Sequence, residues 1–309
     1  MVPGCFRTEA IYAHLTFLPA ASLLPLPPPT HRSHPPWQNK ARAADAPWAA
    51  AQKRPCLTGV QLGGSYGIHL VTAVSHPPAA PLPGGLHTEV AVIGAGLAGI
   101  LTAFALQQAG HRVVVLEARR IASGQSRNTT AKVTSQHGLL YDRLIRRLGE
   151  DKAGQYAQAN QRALEAYRQL IAAQGIRCDW QECPAYVYGS RAEPLQAEAD
   201  AAARLGLPAS FVQQVPLPFP TAGAVLFAHQ AQCNPLLLLR ALAEPLTIYE
   251  QTPVQHVEGG RLETPRGTVQ AEHIVFACHF PFVDLPGAFF SRMHQERSYV
   301  LALEGAAPL

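Results

Sequence analysis

The stretch that most restricts what this chain can fold into runs from Thr88 to Glu117 and reads TEVAVIGAGLAGILTAFALQQAGHRVVVLE. Glu89 to Ile93 is a short apolar run rich in Val and Ile, the pattern of a strand buried on both faces of a parallel sheet. Gly94, Gly96 and Gly99 follow it as G-x-G-x-x-G. The first glycine permits a tight turn, the second admits a pyrophosphate close to the backbone, and the third lets the next helix pack near its strand. Leu97, Ile100, Leu101, Phe104 and Ala105 share one face of a helix predicted over 97–109, and Gly110 stops it. A second strand, Arg112 to Leu116, ends on Glu117, 18 positions beyond Gly99 (117 − 99), near the roughly 20 expected for an acid that binds a ribose hydroxyl. Because all five parts occur in order, the glycines read as an adenine-dinucleotide site rather than an ordinary turn. An anion would sit at the N-terminus of the 97–109 helix, where free N–H groups and the helix dipole favour negative charge. At this level the choice between FAD and NAD stays open.

Charge narrows the partners only after it is located. The formal net charge is +4, yet residues 1–86 hold six Lys or Arg against Glu9 and Asp45, leaving 19 basic and 19 acidic residues in the remainder. That balance argues against nucleic acid. The same 86 residues hold 14 of the 27 prolines and no sustained period, so they are expected to be a disordered Pro-rich leader. The apolar stretch Ile11–Leu26 is interrupted by Pro19 and Pro25 and is too short to span a bilayer.

Past Glu117 the sequence crowds small, hydroxyl and amide residues between Ser123 and Ser135, a composition that suits a loop offering hydrogen bonds to phosphates or a flavin ring and equally a plain surface loop. Helical spacing follows over 139–148 and from Ala153 to Ile171, with its tyrosines facing the core. Short strands are then expected at Cys178-Asp179-Trp180 and Ala185–Tyr188, a helix over 193–205, and edge strands within 212–227. A helix capped by Asn234 with Pro235 near its first position leads into strands at 247–249, 254–257, 262–264, 268–270 and 273–278. The last of these, HIVFAC, reads as a return to the parallel sheet beside the first strand.

The opening fingerprint, the loop NTTAKVTSQHGLLYDRL, the segment QAQCNPLLLLRAL and the stretch HIVFACHFPFVDLPGAFFSRMHQERSYVLAL together resemble the D-amino-acid-oxidase-type FAD-dependent oxidoreductases. The loop and the A-x-H-x-P-F stretch look most like the branch in which the flavoprotein is followed by a Rieske iron–sulfur domain. The resemblance covers residues 87–309 and implies an α/β fold. A Rossmann-like parallel FAD-binding sheet, from parts near 87–175 and 229–280, would carry an inserted, mainly antiparallel α+β substrate domain near 176–228. It implies FAD held at its pyrophosphate by Gly94, Ala95, Gly96, Leu97, Ala98 and Gly99, and at its ribose by Glu117. Ser126, Asn128, Thr129, Thr130, Ala131 and Lys132 match the loop that runs toward the flavin. Val254 matches the position whose backbone contacts adenine, and Ala277 the strand end that packs on the cofactor. The implied reaction is oxidation of a C–N bond of an amine or amino-acid-like small molecule, with hydride passing to the flavin.

Two departures accompany that match. The chain stops at Leu309, before the glycine-containing strand–helix pair that completes such FAD sites, so the domain is expected to be C-terminally incomplete. Its six cysteines lack the paired C-x-H and C-x-x-H spacing of a Rieske centre, so no metal is expected, and free thiols point to a reducing cytoplasm. His137, in the loop, and His279, near the last strand's end, are candidates to approach the flavin, although a hydrogen-bonded or exposed histidine is the commoner role. Arg297 and Tyr299 are candidates to bind a substrate carboxylate. No catalytic residue and no electron acceptor is assigned. An NAD(P)-dependent dehydrogenase and a non-catalytic dinucleotide-binding fragment are the alternative readings.

Overall fold

The computed structural model describes residues 76–215, 217, 219–280, 282, 283 and 289–293. Its elements begin with β1 (Leu86–Ile93), α1 (Leu97–Gln108), β2 (Val113–Leu116), a 3₁₀ turn (Gln125–Asn128), β3 (Lys132–Val133), α2 (Tyr141–Leu148) and α3 (Glu150–Ala173). They continue with β4 (Gln181–Tyr188), α4 (Ala192–Arg204), β5 (Ala209–Val212), β6 (Ala224–Gln232), α5 (Pro235–Ala243) and β7 (Thr247–Tyr249). The last are β8 (His256–Glu258), β9 (Arg261–Thr264), β10 (Gly267–Phe276) and α6 (Phe289–Arg292).

The apolar runs flanking the glycine turn form the centre of a six-stranded sheet in the order β7-β2-β1-β10-β9-β8. β1 lies parallel to β2 and, as expected of HIVFAC, parallel to β10, while β9 and β8 extend the sheet antiparallel. Alternate residues of β1 and β2 feed two cores. Val90, Val92, Val113 and Val115 pack with Ile100 and Phe104 of α1 and Leu238, Leu239 and Leu242 of α5. Ala91, Ile93, Val114 and Leu116 pack on the other face with Leu262, Val269 and Leu82. Each such buried Val, Leu, Ile or Phe side chain contributes about 1.5–3 kcal/mol. Asn234 caps α5 as expected, its Oδ1 accepting from Leu236 N–H at 3.1 Å and Leu237 N–H at 3.3 Å.

A second sheet runs β3-β6-β4, with β5 also paired to β6. Helices α2 and α4 cover it through Tyr141, Leu195, Ala199 and Ala202, which meet Val225 and Phe227 of β6. Because it takes β3 from residues 132–133 and β6 as far as Gln232, this unit reaches beyond the 176–228 segment expected for it.

Several expectations are corrected. β6 is not an edge strand: β4 lies on one side of it and β3 and β5 on the other. Cys178-Asp179-Trp180 is not a strand, since Asp179 takes a left-handed φ of 54° that breaks extended backbone. The runs 268–270 and 273–278 merge into the single strand β10, which ends at Phe276, and β8 starts at His256, leaving Val254 ahead of it. The leader boundary at residue 86 also moves. Residues 76–85 lack regular structure yet pack on the sheet, with Leu82 only 2% exposed and its N–H donating to Thr252 Oγ1 at 3.1 Å. The rest of the expected leader, residues 1–75, lies outside the described residues, as do Arg297 and Tyr299.

Candidate functional site

The turn after β1 is closed from both neighbouring strands. Gly94 N–H donates to Leu116 O at 2.8 Å, and Ala277 N–H donates to Ile93 O at 2.8 Å. Each glycine has its own steric reason. Gly94 has a φ of +106°, and a Cβ there would lie 2.7 Å from Ala277 O. At Gly99 a Cβ would lie 1.8 Å from Gly94 O, so the packing of helix on turn forbids any side chain. At Gly96 the space a Cβ would fill borders Ser126 Oγ, 3.0 Å away. Gly96 is also the N-cap of α1, without a side-chain cap and without acids in the first turn, which leaves this helix end receptive to an anion.

Two further N–H groups of the turn have side-chain partners. Ala95 N–H donates to Glu117 Oε2 at 2.8 Å, and Leu97 N–H donates to Ser126 Oγ at 2.9 Å. Glu117 also accepts Arg119 N–H on Oε1 at 2.8 Å, so its carboxylate is fixed beside the turn while staying partly exposed. Ser126 comes from the loop after β2 and is buried; its hydroxyl, having accepted from Leu97, can still donate outward. The structure thus gathers Gly94, Ala95, Gly96, Leu97, Ala98, Gly99, Glu117, Ser126 and Ala277 at the carboxyl ends of β1, β2 and β10.

The remaining loop residues lead away from this turn toward the second sheet. Asn128 Nδ2 donates to Gly124 O at 3.5 Å, and Thr129 Oγ1 accepts Ala131 N–H at 3.4 Å. Thr130 leads into buried Ala131, which takes a φ of 64° and offers its carbonyl to Cys233 N–H at 3.2 Å. Lys132 is exposed on β3, opposite Gln232. Val254 is half-buried and packs on the Ile93 and Leu116 face of the sheet. His137 is drawn aside: its Nε2 lies 3.3 Å from Asn160 Oδ1 and its ring meets Tyr156 edge-on, with centroids 6.5 Å apart. Burial holds its pKa below the ordinary imidazole value, against the Asn160 hydrogen bond. His279 is exposed, past the end of β10, with a φ of 70°. Tyr141, Tyr156 and Tyr167 have pKa values raised by burial, in keeping with core-facing tyrosines.

Two buried acids escaped the sequence reading. Glu198, 1% exposed, accepts the N–H groups of Leu140, Tyr141 and Asp142 at 2.7, 2.8 and 3.0 Å, and so caps α2 from another helix. Its signal was available, because it shares the i, i+3, i+4, i+7 stripe of Leu195, Ala199 and Ala202. Glu250, also 1% exposed, lies behind the loop that follows Glu117. Its position one residue past β7 carries no comparable pattern.

A glycine turn at the carboxyl end of a parallel strand, with an acid fixed at the end of the next strand, defines a dinucleotide-binding α/β protein. Residues 89–308 match the family described as FAD dependent oxidoreductase, and the chain belongs to that family, whose cofactor is FAD. It is 35% identical over 228 residues to YhfW of Bacillus subtilis (strain 168), which is named for a Rieske 2Fe-2S iron–sulfur protein; the match covers 70% of this chain and 45% of YhfW. Gamma-glutamylputrescine oxidoreductase of Escherichia coli (strain K12) is 24% identical over 225 residues, covering 68% of this chain and 53% of that protein. The chain therefore spans about half the length of these curated relatives. Among solved structures, L-proline dehydrogenase from P. horikoshii has a TM-score of 0.51 and 18% identity over 63% of this chain and 53% of that one, a likeness of fold. Among the described residues no helix is long and apolar enough to cross a membrane, and no group of three or more His, Cys, Asp or Glu is placed to hold a metal ion.

Proposed function

We propose that this chain binds FAD and oxidises a C–N bond of an amine or amino-acid-like small molecule. The observation that carries this reading is the glycine turn: Gly94 and Gly99 leave no room for a side chain, the first turn of α1 carries no acid of its own, and Glu117 is fixed beside the turn by Ala95 N–H. When bound, FAD supplies the hydride acceptor. The protein's part is to hold it: Gly94, Gly96 and Gly99 keep the turn free of side chains, and the start of α1 receives the pyrophosphate. The Ser126 hydroxyl, already oriented by Leu97 N–H, adds a donor there, and Glu117 takes the ribose hydroxyls. Asn128, Thr129, Thr130, Ala131 and Lys132 line the path to the flavin ring, Val254 meets adenine, and Ala277 closes the turn. The name of the E. coli relative supports an amine substrate. A cytoplasmic location is supported by the free thiols of Cys178, Cys183, Cys233 and Cys278.

The absorbance spectrum of the purified full chain, before and after addition of FAD, tests this reading. Flavin bands that stay with the protein through gel filtration, and that bleach when an amine or amino acid is added without oxygen, are expected. A colourless protein that takes up no FAD, or one that binds NAD(P) instead, sinks it.

A further inference from the structure

Glu250 and the segment ahead of β1 form a clasp that the proposed function leaves unused. The carboxylate has three partners from two separate parts of the chain. Ile121 N–H donates to Oε1 at 2.7 Å, Ala79 N–H donates to Oε2 at 3.1 Å, and Arg120 Nε lies 3.0 Å from Oε2. Arg120 Nη2 also donates to His76 O at 3.0 Å, so one guanidinium grips both the acid and the segment. Thr252 repeats the arrangement, accepting Leu82 N–H at 3.1 Å while donating to Glu250 O at 2.9 Å.

The residues on either side of Glu250 and Thr252 hold the backbone around Glu117. Thr252 N–H donates to Glu117 O at 2.9 Å, Glu117 N–H to Tyr249 O at 2.9 Å, and Gln251 N–H to Arg119 O at 3.1 Å. Ile121 precedes Ala122, whose N–H donates to Ala95 O at 2.9 Å within the glycine turn. The segment itself reads PPAAPLP from Pro77 to Pro83, which leaves only three N–H groups in seven residues. Two of them, from Ala79 and Leu82, are spent on Glu250 and Thr252. Prolines restrict the free segment, so little conformational entropy opposes its docking. A buried carboxylate is tolerated only when its lone pairs are occupied, so the acid and the segment depend on one another.

We propose that Glu250 is a positioning residue for the adenosine end of the dinucleotide site, and that residues 76–82 are the strap that fastens it. The strap lies ahead of the region matched to the family, which begins at residue 89. The inference rests on the FAD reading above and deepens it.

The experiment compares full-length wild type with Glu250→Gln, with Ala79→Pro, which removes the strap's donor, and with Glu198→Ala, which removes an equally buried acid from the second unit. Dissociation constants for FAD and for ADP, a probe without the flavin, are measured beside the melting temperature of the apoprotein. Glu250→Gln and Ala79→Pro are expected to weaken ADP and FAD by the same factor, about tenfold, while Glu198→Ala lowers the melting temperature without moving either constant. Melting temperatures that fall while ADP affinity stays within about twofold would reduce the clasp to a structural role and overturn the proposal. FAD weakened without ADP would overturn the placement at the adenosine end, and an unaffected Ala79→Pro would overturn the strap. A wild type that binds neither ligand would instead remove the FAD reading on which the clasp depends.

Discussion

In the six-stranded sheet β2 is buried at all four residues and β1 from Val90 to Ile93, whereas β4 in the second sheet exposes Gln181, Glu182, Pro184 and Tyr188. Among the described residues β4 pairs with β6 alone. The difference shows how far apart the information for each sheet lies. A parallel strand covered on both faces announces itself as an apolar run, and the glycines and acid at its ends fix its partner and its ligand within 30 residues. A half-covered antiparallel strand takes its register from partners remote in sequence, as when Tyr188 meets Ala224 and Lys132 meets Gln232.

Substitutions in the two regions should therefore fail differently. The largest effect is expected for Gly99→Val, because its Cβ would stand 1.8 Å from Gly94 O and the helix must leave the turn. Overpacking of that kind costs roughly 3 kcal/mol or more, so retained flavin should vanish and the melting temperature should drop. Normal flavin content in that variant would show that helix and turn are not coupled as described.

Next comes Glu198→Ala, which leaves three N–H groups at the start of α2 without their acceptor and should cost about 3 kcal/mol by urea unfolding. ADP affinity should persist, since the acid lies in the second unit. Loss of both together would mean that the two units fold only as one.

The smallest effect is a pH slope. Burial lowers the His137 pKa, so the folded state favours the neutral ring. The corresponding stability is intact above the unfolded value of 6.5 and is lost as pH falls from there through the lower folded pKa. His76 shifts the same way, through burial and then Arg240, and adds to the slope. Thermal melts at about pH 7.5 and about pH 5.5 should show wild type losing more than His137→Asn. Equal losses would mean that His137 does not feel its burial.

What the sequence made legible follows the same division. The fingerprint placed β1, α1 and β2 within a few residues, and Asn234 with Pro235 located α5, because each depends on near neighbours. The place of β6 is not written locally, because nothing within 212–227 says that β4 will arrive on one side and β3 and β5 on the other. The Cys178–Trp180 strand was lost to a single left-handed residue, Asp179. Prolines before β1 suggested a free tail, and the strap shows the other use of proline, a stretch with few N–H groups of which two are matched by Glu250 and Thr252.

The parallel pairing of β1 with β10 joins Leu86 to Val269 and Ile93 to Phe276, positions 183 residues apart in each case (269 − 86, 276 − 93). On a ribosome adding about 5–20 residues per second, β1 waits roughly ten to forty seconds for its central neighbour to be made. Throughout that time one edge of the nucleotide-binding strand is unpaired, and Gly94 lacks the Ala277 backbone against which its turn closes. The glycine fingerprint is thus translated early and finished late, with the edge of β1 that β10 will cover left open in the interval.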